Sequence, residues 1–262
     1  MESLKNKVVV ITGASSGIGA GTAVYLAKQG CRLVLNGRNE KNLKATVQAC
    51  VDIGLSPEQV RMVIGSVEKT ADCERLINDA VQAFGQIDVL VNNAAIEIVG
   101  TTDTLPVDEF DRLLNVNLRS VFQLTKFALP HLEKTKGNII NISSVASTHA
   151  IKGTLVYGAS KAAVDHLSRN MALEMGPKGV RVNCVNPGVI MTEFQRRAGM
   201  PQATYDKWLE SVAAVYPLRR VGNAEDVAKV VAFLASDLAS FTTGETILVD
   251  GGHHLGAPVA PW

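Results

Sequence analysis

Residues 7–19 read Lys7-Val8-Val9-Val10-Ile11-Thr12-Gly13-Ala14-Ser15-Ser16-Gly17-Ile18-Gly19. The β-branched run at Lys7–Ile11 suits a short strand buried on both faces. The glycines that follow permit a tight turn and close backbone approach to a ligand. A helix starting there aims unpaired N–H groups at an anion. A strand, a glycine turn and a helix start, in that order, suit a dinucleotide pyrophosphate held by Gly13, Ser15, Ser16, Gly17, Ile18 and Gly19. A purely structural turn would use the same glycines, so the rest of the chain has to decide.

Working outward, β-branched runs alternate with longer helical patterns. Strands are expected at Lys7–Ile11, Arg32–Asn36, Val60–Ile64, Val89–Asn92, Asn138–Ile142, Arg181–Val185 and Thr246–Val249. Helices are expected near 17–30, 40–53, 69–84, 107–134, 155–175 and 224–235. That alternation predicts an α/β fold: a Rossmann-type, doubly wound, seven-stranded parallel sheet with helices on both faces. No repeat or linker divides the chain, so residues 1–262 read as a single domain. The one long irregular stretch, about 188–222 with Pro201 and Pro217, reads as a substrate lid.

Bulk properties exclude several function classes. Hydrophobic residues are 47% and charged residues 19%, as in a folded globular protein rather than a disordered one. A formal net charge of +1 provides no global field for nucleic acid or acidic membranes. Cys31, Cys50, Cys73 and Cys184 form no Cys-x-x-Cys pair and suit buried, reduced thiols. The N-terminus has no apolar leader core and no stretch approaches a membrane span, so a cytoplasmic location is expected.

The second strand ends Leu35-Asn36-Gly37-Arg38. An acid near this point would accept hydrogen bonds from an adenosine ribose, whereas an arginine accommodates a 2′-phosphate. Arg38 therefore points to NADP(H). Further on lie Ser144 and Tyr157-Gly-Ala-Ser-Lys161. A tyrosine and a lysine four apart share a helix face, so an ammonium can stand near a phenol. At ~4 Å and an effective dielectric of ~20 that cation contributes roughly 4 kcal/mol, enough to pull the phenol about three units toward neutrality.

Taken together these motifs resemble the short-chain dehydrogenase/reductase family, in its branch with Thr-Gly-x-x-x-Gly-x-Gly and Tyr-x-x-x-Lys. Asn92-Asn93-Ala94-Ala95, Asn115-Val-Asn117-Leu, Asn186-Pro187-Gly188 with Val189, Ile190 and Thr192, and Val249-Asp-Gly-Gly252 also match its pattern. The resemblance implies a catalytic set of Asn117, Ser144, Tyr157 and Lys161. In that set Tyr157 exchanges a proton with the substrate oxygen as hydride passes to or from the nicotinamide. Ser144 holds that oxygen, Lys161 lowers the tyrosine pKa and holds the nicotinamide ribose, and Asn117 positions a water toward Lys161. It further implies cofactor contacts at Ser66, Val67, Asn93, Ala94, Tyr157, Lys161, Pro187, Gly188, Val189, Ile190 and Thr192. Two departures stand out: Ala95 replaces a usual glycine, and Ser66 replaces an aspartate that meets the adenine.

The flanking residues predict the substrate pocket: Ile96, Glu97, Val145, Ser147, His149 and Val189, with Phe194, Met200, Tyr205, Trp208 and Tyr216 nearby. Their aromatic and apolar character suits a medium-sized, largely apolar ketone or its alcohol. Ser144, Tyr157, Ile96, His149, Val189, Phe194 and Trp208 are the expected substrate contacts. The adjacent His253 and His254 lack the spacing of a metal site. A 3-oxoacyl-carrier-protein reductase is the alternative within the same chemistry, and a non-catalytic NADP(H) sensor the alternative outside it. The family resemblance implies a homotetramer, with a dimer as the smaller possibility. The apolar tail Leu255–Trp262 is expected to pack on a neighbouring subunit.

Overall fold

Val8–Ile11 forms strand β1, and all of its side chains are fully buried. In the computed structural model, which describes residues 2–255, it lies inside a single sheet. The other strands are β2 (Arg32–Gly37), β3 (Val60–Ile64), β4 (Val89–Asn92), β5 (Asn138–Ile142), β6 (Arg181–Pro187) and β7 (Thr246–Val249). The helices are α1 (Gly17–Lys28), α2 (Glu40–Asp52), α3 (Thr70–Phe84), α4 (Val107–Leu114), α5 (Ser120–Thr135), α6 (Leu155–Met175), α7 (Phe194–Arg197), α8 (Gln202–Val215) and α9 (Ala224–Ala235).

The strand order is β3-β2-β1-β4-β5-β6-β7 and every pairing is parallel. β1 is therefore the point where the winding reverses: Val9 pairs with Leu33 of β2 on one side and Val89 of β4 on the other. Such a reversal opens a crevice at the carboxyl ends of the two central strands. The strand period distributes β1 between two cores. Val9 and Ile11 pack with Ala23 and Leu26 of α1 and Val227 and Val231 of α9. Val8 and Val10 pack on the opposite face with Leu76 and Ile77 of α3 and Leu124 and Leu132 of α5. Burial on both faces is why these strands read as unbroken apolar runs.

Two expectations need correction. The stretch at 188–222 is not irregular, because it contains α7 and α8. Pro201 stands just before α8, where a missing N–H costs nothing, and Tyr205 and Val212 bury one face of the helix. The single helix expected at 107–134 is α4 and α5 joined by a π-helical turn at Asn115–Arg119. The extra residue in that turn rotates the chain, and Val116 and Asn117 point inward. No described helix is long and apolar enough to cross a membrane. The tail expected on a neighbouring subunit lies, beyond Leu255, outside the described residues.

Candidate active site

The turn after β1 is laced to the end of β4. Thr12 Oγ1 accepts the N–H groups of Asn93 and Ala94, each at 3.0 Å. Asn93 Nδ2 donates to the Thr12 carbonyl at 2.9 Å and more weakly to that of Gly13 at 3.3 Å. Gly13 has φ +66°, and a Cβ there would sit 2.8 Å from Asn93 Nδ2. Only glycine meets both demands. At the start of α1 the Ser16 hydroxyl caps no N–H group; it accepts Arg197 Nη1 from α7 at 2.8 Å. The first N–H groups of α1 are left for a ligand.

That helix end borders a cavity of about 1180 Å³ running from Gly13–Ile18 and Arg38 to Tyr157 and Trp208. Ser66, Val67, Asn93, Ala94, Pro187, Gly188, Val189, Ile190 and Thr192 also line it. Gly19 and Asn117 do not, and support the wall from behind. An uncapped helix terminus, a close glycine turn and a long cleft fit a nicotinamide dinucleotide. At the far end Arg38 lies 3.7 Å from Glu68, which also meets Arg112 at 3.6 Å. Ser66 Oγ donates to Glu68 at 3.0 Å.

At the near end, Ser143 and Ser144 point apart as strand alternation requires. Ser143 Oγ donates to the Lys161 carbonyl at 3.1 Å, whereas Ser144 Oγ accepts the Ala146 N–H at 3.1 Å and lines the cavity beside Tyr157. Lys161 is buried, donates from Nζ to the Ile142 carbonyl at 2.8 Å, and stands 5.7 Å from the Tyr157 ring centroid. Burial lowers its pKa to about 8, opposed by the Asp165 carboxylate. Asn117 does not hydrogen-bond Lys161; its side chain pairs with the backbone of Ile96 and reaches Ser160 Oγ.

The Tyr157 phenol is shifted away from neutrality rather than toward it. Burial raises the Tyr157 pKa, Glu97 raises it further, and only Ser144 opposes them. The Lys161 ammonium donates to the Ile142 carbonyl, and loss of solvation disfavours the phenolate.

Residues 13–254 match the sequence pattern of the family described as "Enoyl-(Acyl carrier protein) reductase". The chain is 37% identical over 251 residues to the pig protein "Dehydrogenase/reductase SDR family member 4", covering 95% of this chain and 88% of that one. It is 39% identical over 247 residues to "Meso-2,3-butanediol dehydrogenase" of Serratia marcescens, covering 94% of each. A Caenorhabditis elegans short-chain dehydrogenase/reductase, solved with cofactor, superposes with a TM-score of 0.93 at 36% identity, covering 97% of each chain. This chain belongs to the short-chain dehydrogenase/reductase family.

As a dehydrogenase/reductase it has an oxidoreductase site, and its substrate end differs from the sequence expectation. Ile96, Glu97, Val145, Val189, Phe194, Trp208 and Tyr216 line the cavity. The Phe194 ring stands 5.7 Å from that of Tyr157. Tyr205 is turned to another use, its hydroxyl donating to the Thr192 carbonyl at 2.7 Å and accepting the Thr192 N–H at 3.0 Å. His149 does not line the cavity, because its Nδ1 folds back toward Thr148 Oγ1 at 3.0 Å and the Val145 carbonyl at 3.3 Å. His253 takes that place, stacked on Tyr216 with ring centroids 5.2 Å apart.

Sequence reasoning missed three contributors. Asp165 is buried, accepts Asn186 Nδ2 at 2.9 Å and supports the charge on Lys161. Its position four residues after Lys161 on α6 was a readable hint. Arg197 and His253 had no such hint, since each arrives from a segment remote in sequence.

Proposed function

We propose that the protein is an NADP(H)-dependent oxidoreductase that reduces a ketone or aldehyde, or oxidises the corresponding alcohol, with Tyr157 as general acid and base. The observation that carries this reading is that the Tyr157 hydroxyl, with Ser144 beside it, faces the same cavity as the glycine turn of α1. A bound nicotinamide supplies reversible hydride transfer. The chain's own residues handle the oxygen. The raised pKa keeps Tyr157 a phenol at neutral pH, so it holds the proton a carbonyl oxygen takes up on reduction. Ser144 donates a hydrogen bond to that oxygen as negative charge develops on it. Lys161, fixed on Ile142 with its ammonium 5.7 Å from the Tyr157 ring centroid, would hold the nicotinamide ribose. Asn117 is a positioning residue that holds Ile96 and, through it, the pocket floor.

Arg38 supports the choice of NADP(H), since it leaves β2 with its side chain 60% exposed at the end of the cleft. Residues 188–222 act as the lid: α7 brings Phe194 to Tyr157 and Arg197 to Ser16. Exposed Phe122 on α5 and exposed Leu173 on α6 support a homo-oligomer, with a tetramer as our reading. The apolar walls suit a substrate with hydrocarbon flanks, and one similar chain is named for meso-2,3-butanediol.

The test is a spectrophotometric panel of ketones, aldehydes and alcohols with NADP(H) and NAD(H), run on wild type and Tyr157→Phe. Turnover by wild type with a higher kcat/KM for NADPH supports the reading; turnover retained by the variant, or a clear NADH preference, refutes its respective part. A second reading, 3-oxoacyl-carrier-protein reduction, is favoured by the similarity to the Thermotoga maritima protein "3-oxoacyl-[acyl-carrier-protein] reductase FabG", 35% identical over 250 residues. Efficient turnover of small, carrier-free ketones counts against it.

A further inference from the structure

We propose that His253 determines substrate specificity, donating a hydrogen bond from Nε2 to a neutral acceptor oxygen that the substrate carries away from its reacting carbon. This rests on the oxidoreductase reading above. The Val249-Asp-Gly-Gly252 motif brings the residue to the cavity. Gly251 and Gly252 have φ +62° and +86°, and a Cβ on them would stand 3.0 Å from Tyr216 Cδ2 and 2.9 Å from Pro217 Cγ. Glycine lets this turn lie directly on Tyr216 and Pro217. The Asp250 carboxylate pins the turn, accepting the N–H groups of Gly252 at 3.0 Å and His254 at 2.8 Å. The Asp250 carbonyl accepts the His253 N–H at 3.1 Å. His253 is thus laid against Tyr216, with ring planes 18° apart, and lines the cavity.

The residue is only 6% exposed, and its Nδ1 is sealed off with no hydrogen-bond partner among the described residues. Its polar neighbours are engaged elsewhere. The Tyr216 hydroxyl accepts the Val189 N–H at 2.9 Å, and His149, 5.9 Å away between ring centroids, turns its Nδ1 back to Thr148 and Val145. A buried N–H without an acceptor is costlier than a bare lone pair, so we assign the proton to Nε2. With Nδ1 enclosed, Nε2 is the nitrogen left to meet a ligand in the cavity. Burial holds the imidazole below its ordinary pKa against the Asp250 carboxylate, and His149 and His254 add to the lowering. A neutral donor suits an uncharged ether, ester or carbonyl oxygen. Hydrocarbon alone would leave that donor unpaired in a dry place. The acceptor is not the reacting oxygen: that one belongs to Tyr157, whose ring neighbour is Phe194, whereas His253 neighbours Tyr216 and His149.

The test pairs ketones in which an ether oxygen replaces one methylene at increasing distance from the carbonyl. The pairs are 1-methoxy-2-propanone and 2-pentanone, 4-methoxy-2-butanone and 2-hexanone, and 5-methoxy-2-pentanone and 2-heptanone. With saturating reduced cofactor, kcat/KM is measured on wild type, His253→Phe and His253→Gln. Calorimetry in parallel follows ketone binding to the proteins loaded with oxidised cofactor, which cannot reduce them. At one spacing wild type should favour the ether about three- to tenfold in both readouts. His253→Phe keeps a ring on Tyr216 and should bring that ratio close to one. His253→Gln restores a donor and should recover part of it. A wild-type ratio near one at every spacing, or the same ratio in all the proteins, overturns the proposal. So does a stronger preference for 4-oxopentanoate, whose carboxylate would make the site one for anions. Turnover of the hydrocarbon ketones with no ether preference sinks this inference alone. Ether-selective binding that His253→Phe abolishes, without turnover of any ketone, would uphold His253 and sink the oxidoreductase reading for these substrates.

Discussion

Asn117 and Ile96 are joined by two hydrogen bonds of 2.9 Å, one in each direction: Ile96 N–H donates to Oδ1, and Nδ2 donates to the Ile96 carbonyl. The side-chain amide thus acts as one rung of a sheet, reaching out from the π-helical turn between α4 and α5. It fixes the segment that follows β4, where Ile96 and Glu97 form one wall of the cavity.

Removing that rung strands two backbone groups in a largely dry place. Asn117→Ala should lower the unfolding free energy by about 2–4 kcal/mol, read by urea denaturation, and should weaken substrate use more than cofactor binding. A stability change within experimental error would show that water replaces the amide freely.

Tyr157→Phe removes one oxygen and leaves the ring against Phe194. Turnover should vanish while the melting temperature and the NADPH dissociation constant, followed by nucleotide fluorescence, stay close to wild type. A variant retaining a tenth of wild-type kcat would move the proton-transfer role elsewhere.

Glu97 sets a pH dependence of stability. Its carboxyl titrates near 4.5 when unfolded and about 7 in the folded protein, so between those values the folded state holds the proton and the unfolded state does not. Stability from this group therefore falls as pH rises through that window and stays low above it. Glu97→Gln should match wild type below pH 4.5 and exceed it by on the order of 2 kcal/mol above pH 7, with part exposure reducing the full effect. Parallel stability curves across the range would show that the carboxyl is solvated.

Gly13→Ala forces a side chain into a left-handed backbone and against Asn93. The variant should lose about 1–3 kcal/mol of stability and bind NADPH at least about tenfold more weakly. Unchanged affinity would mean that the turn does not shape the pyrophosphate site.

The four cysteines are all buried and unpaired. Burial pushes the Cys31 and Cys184 thiols up to about 12, and those of Cys50 and Cys73 up to about 11. None should react with a thiol reagent at pH 8 in the folded protein, and all should react after denaturation. Fast labelling of the native protein would reveal an opening of the core.

Sequence alone determined the strands and the class of fold. Runs such as Val8–Ile11 and Asn138–Ile142 are buried on both faces, and local composition encodes that burial. It also determined the residue types of the glycine turn and of Ser144, Tyr157 and Lys161, because each depends on short spacing along one element. Only the tertiary structure decided the state of those residues. The Tyr157 pKa rises through burial and the charge of Glu97, which the segment after β4 brings toward α6, a balance that no spacing records. His149 looked like a pocket residue by position, yet it folds onto Val145 and yields the place to His253, which arrives from the far end of the chain. Burial and long-range contact set charge and orientation, and both are properties of the packed molecule rather than of any one segment.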